Sequence, residues 1–570
     1  MKKLLMLIFL VMLAFSLTFM GISCKEEAVE EEAVAVEEEV VEEEAVEEAE
    51  EAVAVEEEVV DGGVLHMGFS RTPININICG TIGSLTYRVF RYTFDTLIRH
   101  RDSGEIEPGL AETWEISPDG LEYIFHLRKD VLWQDGEPFN ADDVVFTFNY
   151  SLNPVVGSTE VGAFWDSLKG FKEYWAGEAD SISGVTKIDD YTVKVVLNEV
   201  NVLFLANLSH TIGCYQMEIM PEHVVSKIAP EDWKTSDFAT VRPYPGTGPY
   251  IFENYETGQY IKLTRNPLYW DDVPNIETIY MDFFSDPSTM AIALEKGEID
   301  IGDLVPSVDL EYLESLPNLK VTKFPQVVYY ELIFNCGPKG TIPLLVRQAI
   351  AYSIDTKTLV DKVMEGAAFA EYRHMNCFEW ANSPNLNPYD YDPEKAKALL
   401  EEADWDMDYE IEMLTSDEAT APPIVAIQKW MMDIGLKVKI TQIDAPTSLE
   451  NLAKGVDADY DMTWSGGHGG GLDPSTVVAC YLSDAIYPDG WNSSVYQNPE
   501  FDRLYYEGKS LIKEEDRQPI YWKISEILNY DLPLLPLYKP ELNYVINDRV
   551  KNHTWSFMRW DDINDWYVVD

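Results

Sequence analysis

Positive charge is scarce in this 570-residue chain: 42 Lys and Arg stand against 100 Asp and Glu, a net charge of −58. A nucleic-acid-binding protein needs a basic footprint, so that class is excluded. Anionic membrane surfaces would repel the chain as well. Histidine is also sparse. The eight, at positions 66, 100, 126, 210, 223, 374, 468 and 553, show neither HxH nor HExxH spacing. His374 and Cys377 lie three apart, but no second pair accompanies them, so no metal site and no cofactor are expected. Beyond the first two dozen residues there is no apolar run of roughly 18 residues, the length of a membrane-spanning helix. Six cysteines occur without a CxxC. Setting Cys24 aside, Cys79, Cys214, Cys336, Cys377 and Cys480 are scattered. Disulfides in an oxidising compartment and buried free thiols both remain open.

What is present begins with MKKLLMLIFLVMLAFSLTFMGISC. Two lysines precede an apolar stretch from Leu4 to Met20, and small residues lead to Cys24. This is an export signal, read as residues 1–23. The cysteine after the apolar run resembles the lipobox of bacterial lipoproteins, in which the cysteine becomes the lipidated N-terminus, although Gly21-Ile22-Ser23 lacks the usual leucine. Residues 24–61 follow as Glu, Val and Ala with 19 acidic side chains against one lysine. Glutamate blocks recur every five or six residues, fitting neither a helical nor a strand period. Such like-charge blocks extend a chain, so this segment reads as a solvated tether.

The body mixes strands and helices. Leu121–Leu127, Thr192–Leu197 and Lys437–Ile443 alternate like strands. Asp392-Pro393 and Asn498-Pro499 open helices with a cap followed by proline at the first position. Asp355 caps TKTLVDKVME, which Gly366 ends. Asp119-Gly120 suits a tight turn between strands, and Asp142-Asp143 sit where a helix N-terminus favours negative charge. Alternating strands and helices predict α/β layers.

The most unusual stretch is WSGGHGGGLDPST, from Trp464 to Thr476, with five glycines in six positions. A phosphate loop would need Gly-Lys-Ser/Thr after it, and Leu472 follows Gly471 instead. A dinucleotide fingerprint would need Gly or Ala at position 472. HGGG at His468–Gly471 mimics an esterase oxyanion hole, but no G-x-S-x-G supplies a nucleophile. The chain is therefore not expected to be an enzyme. A secreted hydrolase using this loop is the weaker alternative from another class.

Five phrases follow one another in order: PGLAETWEISPDGLEYIFHLRKDVLWQDGEPFNADDVVFTF from Pro108, GTGPYIFENYETGQYIKLTRNPLYW from Gly246, VRQAIAYSIDTKTLVDKVMEGAA from Val346, YDPEKAKALLEEA from Tyr391 and NYDLPLLPLYKPE from Asn529. Together they resemble the family 5 extracellular solute-binding proteins, the peptide- and nickel-type binding components of bacterial ABC importers. The resemblance covers residues from about 64 to 545.

It implies an α/β fold of the large oligopeptide-binding type: a two-lobed clamshell (type II periplasmic binding protein) with an extra domain beside lobe I. Lobe I would comprise 62–100, 236–325 and 535–570, the additional domain 101–235, and lobe II 326–534. Strands near Val327–Asn335 and Leu532–Tyr538 would cross the hinge, and ligand would be captured between the lobes. The implied partners are a permease pair with cytoplasmic ATPases and, through lipidated Cys24, the membrane. The protein is expected to be an exported monomer on the outer face of the cell membrane or in the periplasm. A ligand-sensing receptor domain is a further use of such clamshells.

In the family's peptide binders, a tryptophan and a short polar run contact ligand from lobe II, and an aspartate three residues after the tryptophan takes the α-amino group. Trp464 matches that tryptophan, but Gly467 stands where the aspartate would be. Asp473 could substitute, although its counterpart is a helix cap. The loop candidates are therefore Trp464, Ser465, Gly466, Gly467, His468 and Asp473, with Tyr481, Trp491, Tyr329 and Tyr330 as further aromatic candidates. A buried ammonium without a partner is costly. The missing aspartate therefore leaves two ligand classes, an oligopeptide and a β-linked oligosaccharide.

Overall fold

A computed structural model describes residues 62–569 apart from 74, 80–83, 101–105, 157–164, 210–216, 340–341, 470, 472, 489 and 554–562. The leader, Cys24, the acidic segment and Cys214 lie outside the described residues.

A 12-stranded sheet organises the molecule, and one strand holds it together. Leu534–Asn547 is 14 residues long. Its first half pairs with Tyr329–Phe334, through Leu534↔Ile333 and Tyr538↔Tyr330. Its second half pairs with Leu319–Pro325 and with Ile301–Asp303. The sheet therefore has two halves that share this strand, with Gln326–Val328 as the neighbouring connection. Leu, Val, Tyr and Ile fill most of the strand, and all but three of its residues are buried. Two-sided burial of that kind gives a continuous apolar run rather than alternation, which is why PLLPLY reads as a strand despite lacking a period of two.

Beyond the shared strand, one half continues through Tyr329–Phe334, Met462–His468, Glu410–Thr415 and Lys437–Gln442. The other continues through Ile301–Asp303, Val64–Phe69, Thr278–Phe283, Tyr260–Arg265 and Tyr250–Glu256. Val64–Phe69 is parallel to both of its neighbours, and Met462–His468 is parallel to Glu410–Thr415. All of these parallel strands run toward the connection between the halves. Their carboxyl ends thus point toward that connection, and open α/β sheets bind ligands at the carboxyl ends of their strands.

A separate four-stranded sheet, Ala111–Ile116, Glu122–Leu127, Thr192–Val196 and Val185–Asp189, is antiparallel throughout. It has its own core around Phe125, Trp133, Phe148 and Val193. Gly120 makes its first turn at φ +72°, and Asp119 accepts the Leu121 N–H at 3.2 Å. The helix Ala141–Ser151 starts with a capping box between Asn140 and Asp143, so the acidic pair Asp142-Asp143 does sit at a helix N-terminus. Asp392 and Asn498 cap Pro393–Glu402 and Pro499–Lys509 as the sequence predicts. Asp355 caps only the short Thr356–Thr358 helix, after which Leu359–Val363 widens to π geometry. Cys79, Cys336, Cys377 and Cys480 are free thiols, and burial pushes the Cys79 thiol up to about 12. Among the described residues no helix is long and apolar enough to cross a membrane.

Candidate functional site

The glycine stretch is not a free loop at its start. Trp464 to His468 form the end of the strand Met462–His468, paired antiparallel with the strand that begins at Tyr329. This carboxyl end points toward the Gln326–Val328 connection. A register shift between Tyr329 and Tyr330 accompanies the glycines. Gly467 and Gly469 take φ +138° and +109°, which side-chain-bearing residues rarely adopt. A Cβ at Gly469 would lie 2.6 Å from the Tyr329 ring, whereas a Cβ at Gly467 would meet nothing within 4 Å. Gly469 is thus required for packing. Gly467 instead leaves open space beside an exposed backbone.

Side chains alternate across a strand, and this divides the candidates between the two faces of the sheet. On one face the Trp464 ring stacks with Tyr330 at 5.4 Å and lies 6.1 Å from Tyr538. Tyr330 in turn stacks on Tyr538 at 5.2 Å. Trp464 is only 3% exposed, and its Nε1 donates to Asp417 Oδ2 at 3.0 Å. On the other face lie Tyr329 and Tyr481, packed in the interior with Ile333, Met375 and Phe501. The Tyr329 hydroxyl donates to the His374 carbonyl at 3.2 Å.

His468 belongs to this second face. Its Nδ1 pairs with the carboxylate of Glu331, which is fully buried on the strand Tyr329–Phe334. Burial alone would lower the His468 pKa, but the Glu331 charge and a hydrogen bond with Cys480 outweigh it and hold the imidazole well above its usual range. Burial raises the Glu331 pKa, partly offset by His468. A buried carboxylate is tolerated only when paired, so the two groups are best described as one unit sharing its charge.

Asp473 is committed elsewhere. Both of its oxygens receive Arg517, at 2.6 and 2.7 Å, and Oδ1 also accepts the Ser475 N–H at 2.8 Å to cap Pro474–Val478. Ser465 is half-buried and Gly466 exposed on the strand end. Trp491 is 57% exposed and stands edge-on to Tyr487 at 6.3 Å. The structure therefore gathers Trp464, Ser465, Gly466, Gly467, His468 and Tyr330 at the strand end. Tyr329 and Tyr481 lie beneath it.

Three further residues at this end were missed by sequence reasoning. Asp417 follows the strand Glu410–Thr415, whose alternating YEIEMLT pattern was a usable signal. Glu331 is a lone charge in the apolar run VVYYELIF, and a charge in a buried strand is always informative. Tyr538 carries no local signal, because only strand pairing brings it beside Tyr330. Two other recesses, of about 260 Å³ near Tyr409, Glu412 and Asp461 and about 450 Å³ near His66, Tyr260 and Asp282, are lined by residues away from this strand end. Among the described residues no group of three or more His, Cys, Asp or Glu side chains is placed to hold a metal ion.

A family model, Bacterial extracellular solute-binding proteins, family 5 Middle, matches residues 105–489. The chain belongs to this family. This solute-binding protein is 28% identical to heme-binding protein A of Haemophilus influenzae over 477 residues, covering 81% of this chain and 84% of that one. It is 27% identical to the dipeptide-binding protein of Escherichia coli over 472 residues, covering 79% and 85%. Among solved structures it resembles DppA from Helicobacter pylori, an ABC transporter-associated periplasmic binding protein in complex with the peptide STSA. There the TM-score is 0.72 with 26% identity, covering 89% of this chain and 98% of that one. The solute-binding protein shares their two-lobed α/β architecture and is the substrate-binding component of an ABC importer.

Proposed function

We propose that this solute-binding protein captures short peptides in the crevice between its lobes and delivers them to a permease pair driven by cytoplasmic ATPases. It acts by binding and closure rather than by catalysis. We assign lobe I to 62–100, 236–325 and 535–570, the additional domain to 101–235 and lobe II to 326–534. In this reading Leu534–Asn547 and the connection before Tyr329 bend as the lobes close on ligand. The signal peptide directs export, and lipidated Cys24 holds a monomer at the membrane through the acidic tether.

The observation that carries the peptide reading is the strand end itself. Gly466 and Gly467 expose backbone at the carboxyl end of Met462–His468, where a peptide main chain can pair with them. The relatives named for dipeptide binding and for the peptide STSA support the same class. The oligosaccharide reading drew on the missing aspartate and on the supply of aromatic side chains, and of these the Trp464 ring is covered by Tyr330 and Tyr538.

Thermal-shift screening against di- to pentapeptides and β-linked oligosaccharides tests the proposal. A true ligand stabilises by RT ln(1 + [L]/Kd), about 2.7 kcal/mol at a hundredfold excess over Kd. Stabilisation by several peptides and by no sugar is expected. Stabilisation by sugars alone would overturn the peptide reading.

A further inference from the structure

The turn at Asp119-Gly120 joins two strands of the four-stranded sheet, and connections of this kind ordinarily face solvent. Gly120 is nevertheless buried. Two side chains cover it. A Cβ at Gly120 would stand 3.4 Å from Val200 Cγ2 and 3.9 Å from Ile512 Cδ1. Val200 follows the strand Thr192–Val196 of the same sheet. Ile512 comes from far along the chain, in the connection between the helices Pro499–Lys509 and Glu514–Asp531.

Neighbouring residues of that connection have opposite fates. Leu511 packs against the core around Phe501, Ile520 and Tyr521, whereas Ile512 is 70% exposed and extends its Cδ1 to the notch between Gly120 and Val200. The notch is held in shape by its own turn. Gly120 donates its N–H to the Ser117 carbonyl at 2.8 Å, and Asp119 accepts the Leu121 N–H at 3.2 Å. The φ of +72° suits glycine, and the missing Cβ leaves the room that Ile512 approaches. A second approach lies on the same helix pair. Burial and nearer groups raise the Tyr505 and Tyr506 pKa values first, and the Asp166 charge adds to both, so Asp166 also stands close to Pro499–Lys509.

In the lobe assignment proposed above, these contacts join two bodies. The additional domain is fastened to lobe I: Gln134 donates to the Tyr250 carbonyl at 2.9 Å and accepts the Gly246 N–H at 2.9 Å. Phe90, Phe94, Tyr150 and Trp233 share one core across the same boundary. Lobe II is joined to lobe I through Gln326–Val328 and the strand Leu534–Asn547. The Ile512 contact uses neither connection, so it is made when lobe II stands against the additional domain and is lost when the lobes part.

We propose that Ile512, set against Gly120 and Val200, is a latch that favours the closed arrangement before any ligand arrives. A contact made in only one arrangement raises that arrangement's share of the population. Covering apolar surface shifts such a ratio by about fourfold per methylene, so the latch biases the equilibrium and still releases. The inference rests on the lobe assignment and is independent of the ligand class.

The experiment is small-angle X-ray scattering of the ligand-free full chain, from which the ratio of compact to expanded forms is read. Wild type is expected to be mainly compact. Ile512→Asp, which sets a charge against Val200, should lower the ratio by about fourfold or more, and Ile512→Ala by less. Val308→Asp, a like change at an 85% exposed site of lobe I, should scatter as wild type does. Val200→Lys should expand the chain by itself and, combined with Ile512→Asp, restore compactness, because the two charges then attract. Melting temperatures place each variant as folded, and Ile512→Ala carries the test if the charged variant does not fold. Identical scattering by wild type and the folded Ile512 variants would overturn the latch and leave the peptide proposal standing. Equal expansion in Val308→Asp would overturn it as well.

Discussion

His468 and Glu331 tie the glycine segment to the strand that follows the Gln326–Val328 connection. His468 closes the strand Met462–His468, Glu331 lies within Tyr329–Phe334, and their side chains form an ion pair with the carboxylate fully buried. The pair fixes where the exposed Gly466-Gly467 backbone emerges. A segment with five glycines has much conformational freedom to lose on ordering, and a buried charge-assisted hydrogen bond opposes that freedom at one point.

Glu331→Gln should therefore destabilise the protein by about 2 kcal/mol at pH 6, the scale of a hydrogen bond to a charged group. The sign with pH follows from His468, whose folded-state pKa is raised above 6.5. A group raised in this way contributes stability that is complete below pH 6.5 and fades as pH climbs through the folded pKa. The gap between wild type and Glu331→Gln, read by urea unfolding, should shrink from pH 6 to pH 9. A gap that widens would show that the imidazolium is not the stabilised form.

His374 predicts the opposite slope. It is buried, its Nε2 faces the Leu534 carbonyl at 3.2 Å, and burial depresses its pKa to about 4. Between pH 6.5 and 4 the unfolded chain binds a proton that the folded chain refuses. The stability contributed by the neutral ring is thus present above pH 6.5 and lost as pH falls toward 4, by about 3 kcal/mol in total. His374→Gln should flatten this part of the stability profile. A profile as steep as that of wild type would assign the acid sensitivity to other groups.

Asp473 and Arg517 form a buried bidentate pair, with side chains 11% and 6% exposed. Removing one partner strands the other charge, at a cost of about 3–5 kcal/mol. Asp473→Ala should lower the urea midpoint by that amount. It should also weaken the N-terminus of Pro474–Val478, where Asp473 is the cap. Peptide affinity measured well below the melting temperature should change less than threefold. A large affinity loss in a variant that remains folded would mean that Asp473 touches ligand directly.

Much of the local structure was legible because short-range chemistry decides it. Asp392-Pro393, Asn498-Pro499 and Asp119-Gly120 are caps and turns set by a few adjacent residues, and the structure has each of them. The Asp355 helix was only partly legible: its cap is present, but the π widening at Leu359–Val363 is not written in any cap or period. The candidate residues were partly placed by sequence: the Trp464 motif lies at the end of a strand, but adjacency in sequence says nothing about which face of a sheet a side chain takes. Trp464 and His468 are four residues apart, yet they serve opposite faces across the register shift at Tyr329.

The sequence by itself determined the class of this protein: the ordered phrases point to a family 5 solute-binding protein. It also determined that position 467 has no carboxylate. Tertiary structure alone decided which carboxylates near this strand end already have partners. Pairing Thr415 with Trp464 brings Asp417 to the Trp464 indole, whose N–H it accepts at 3.0 Å. It also spends Asp473 on Arg517 and Glu331 on His468. The physical reason is that a carboxylate's availability depends on its partners and its burial, and distant segments of the chain supply both.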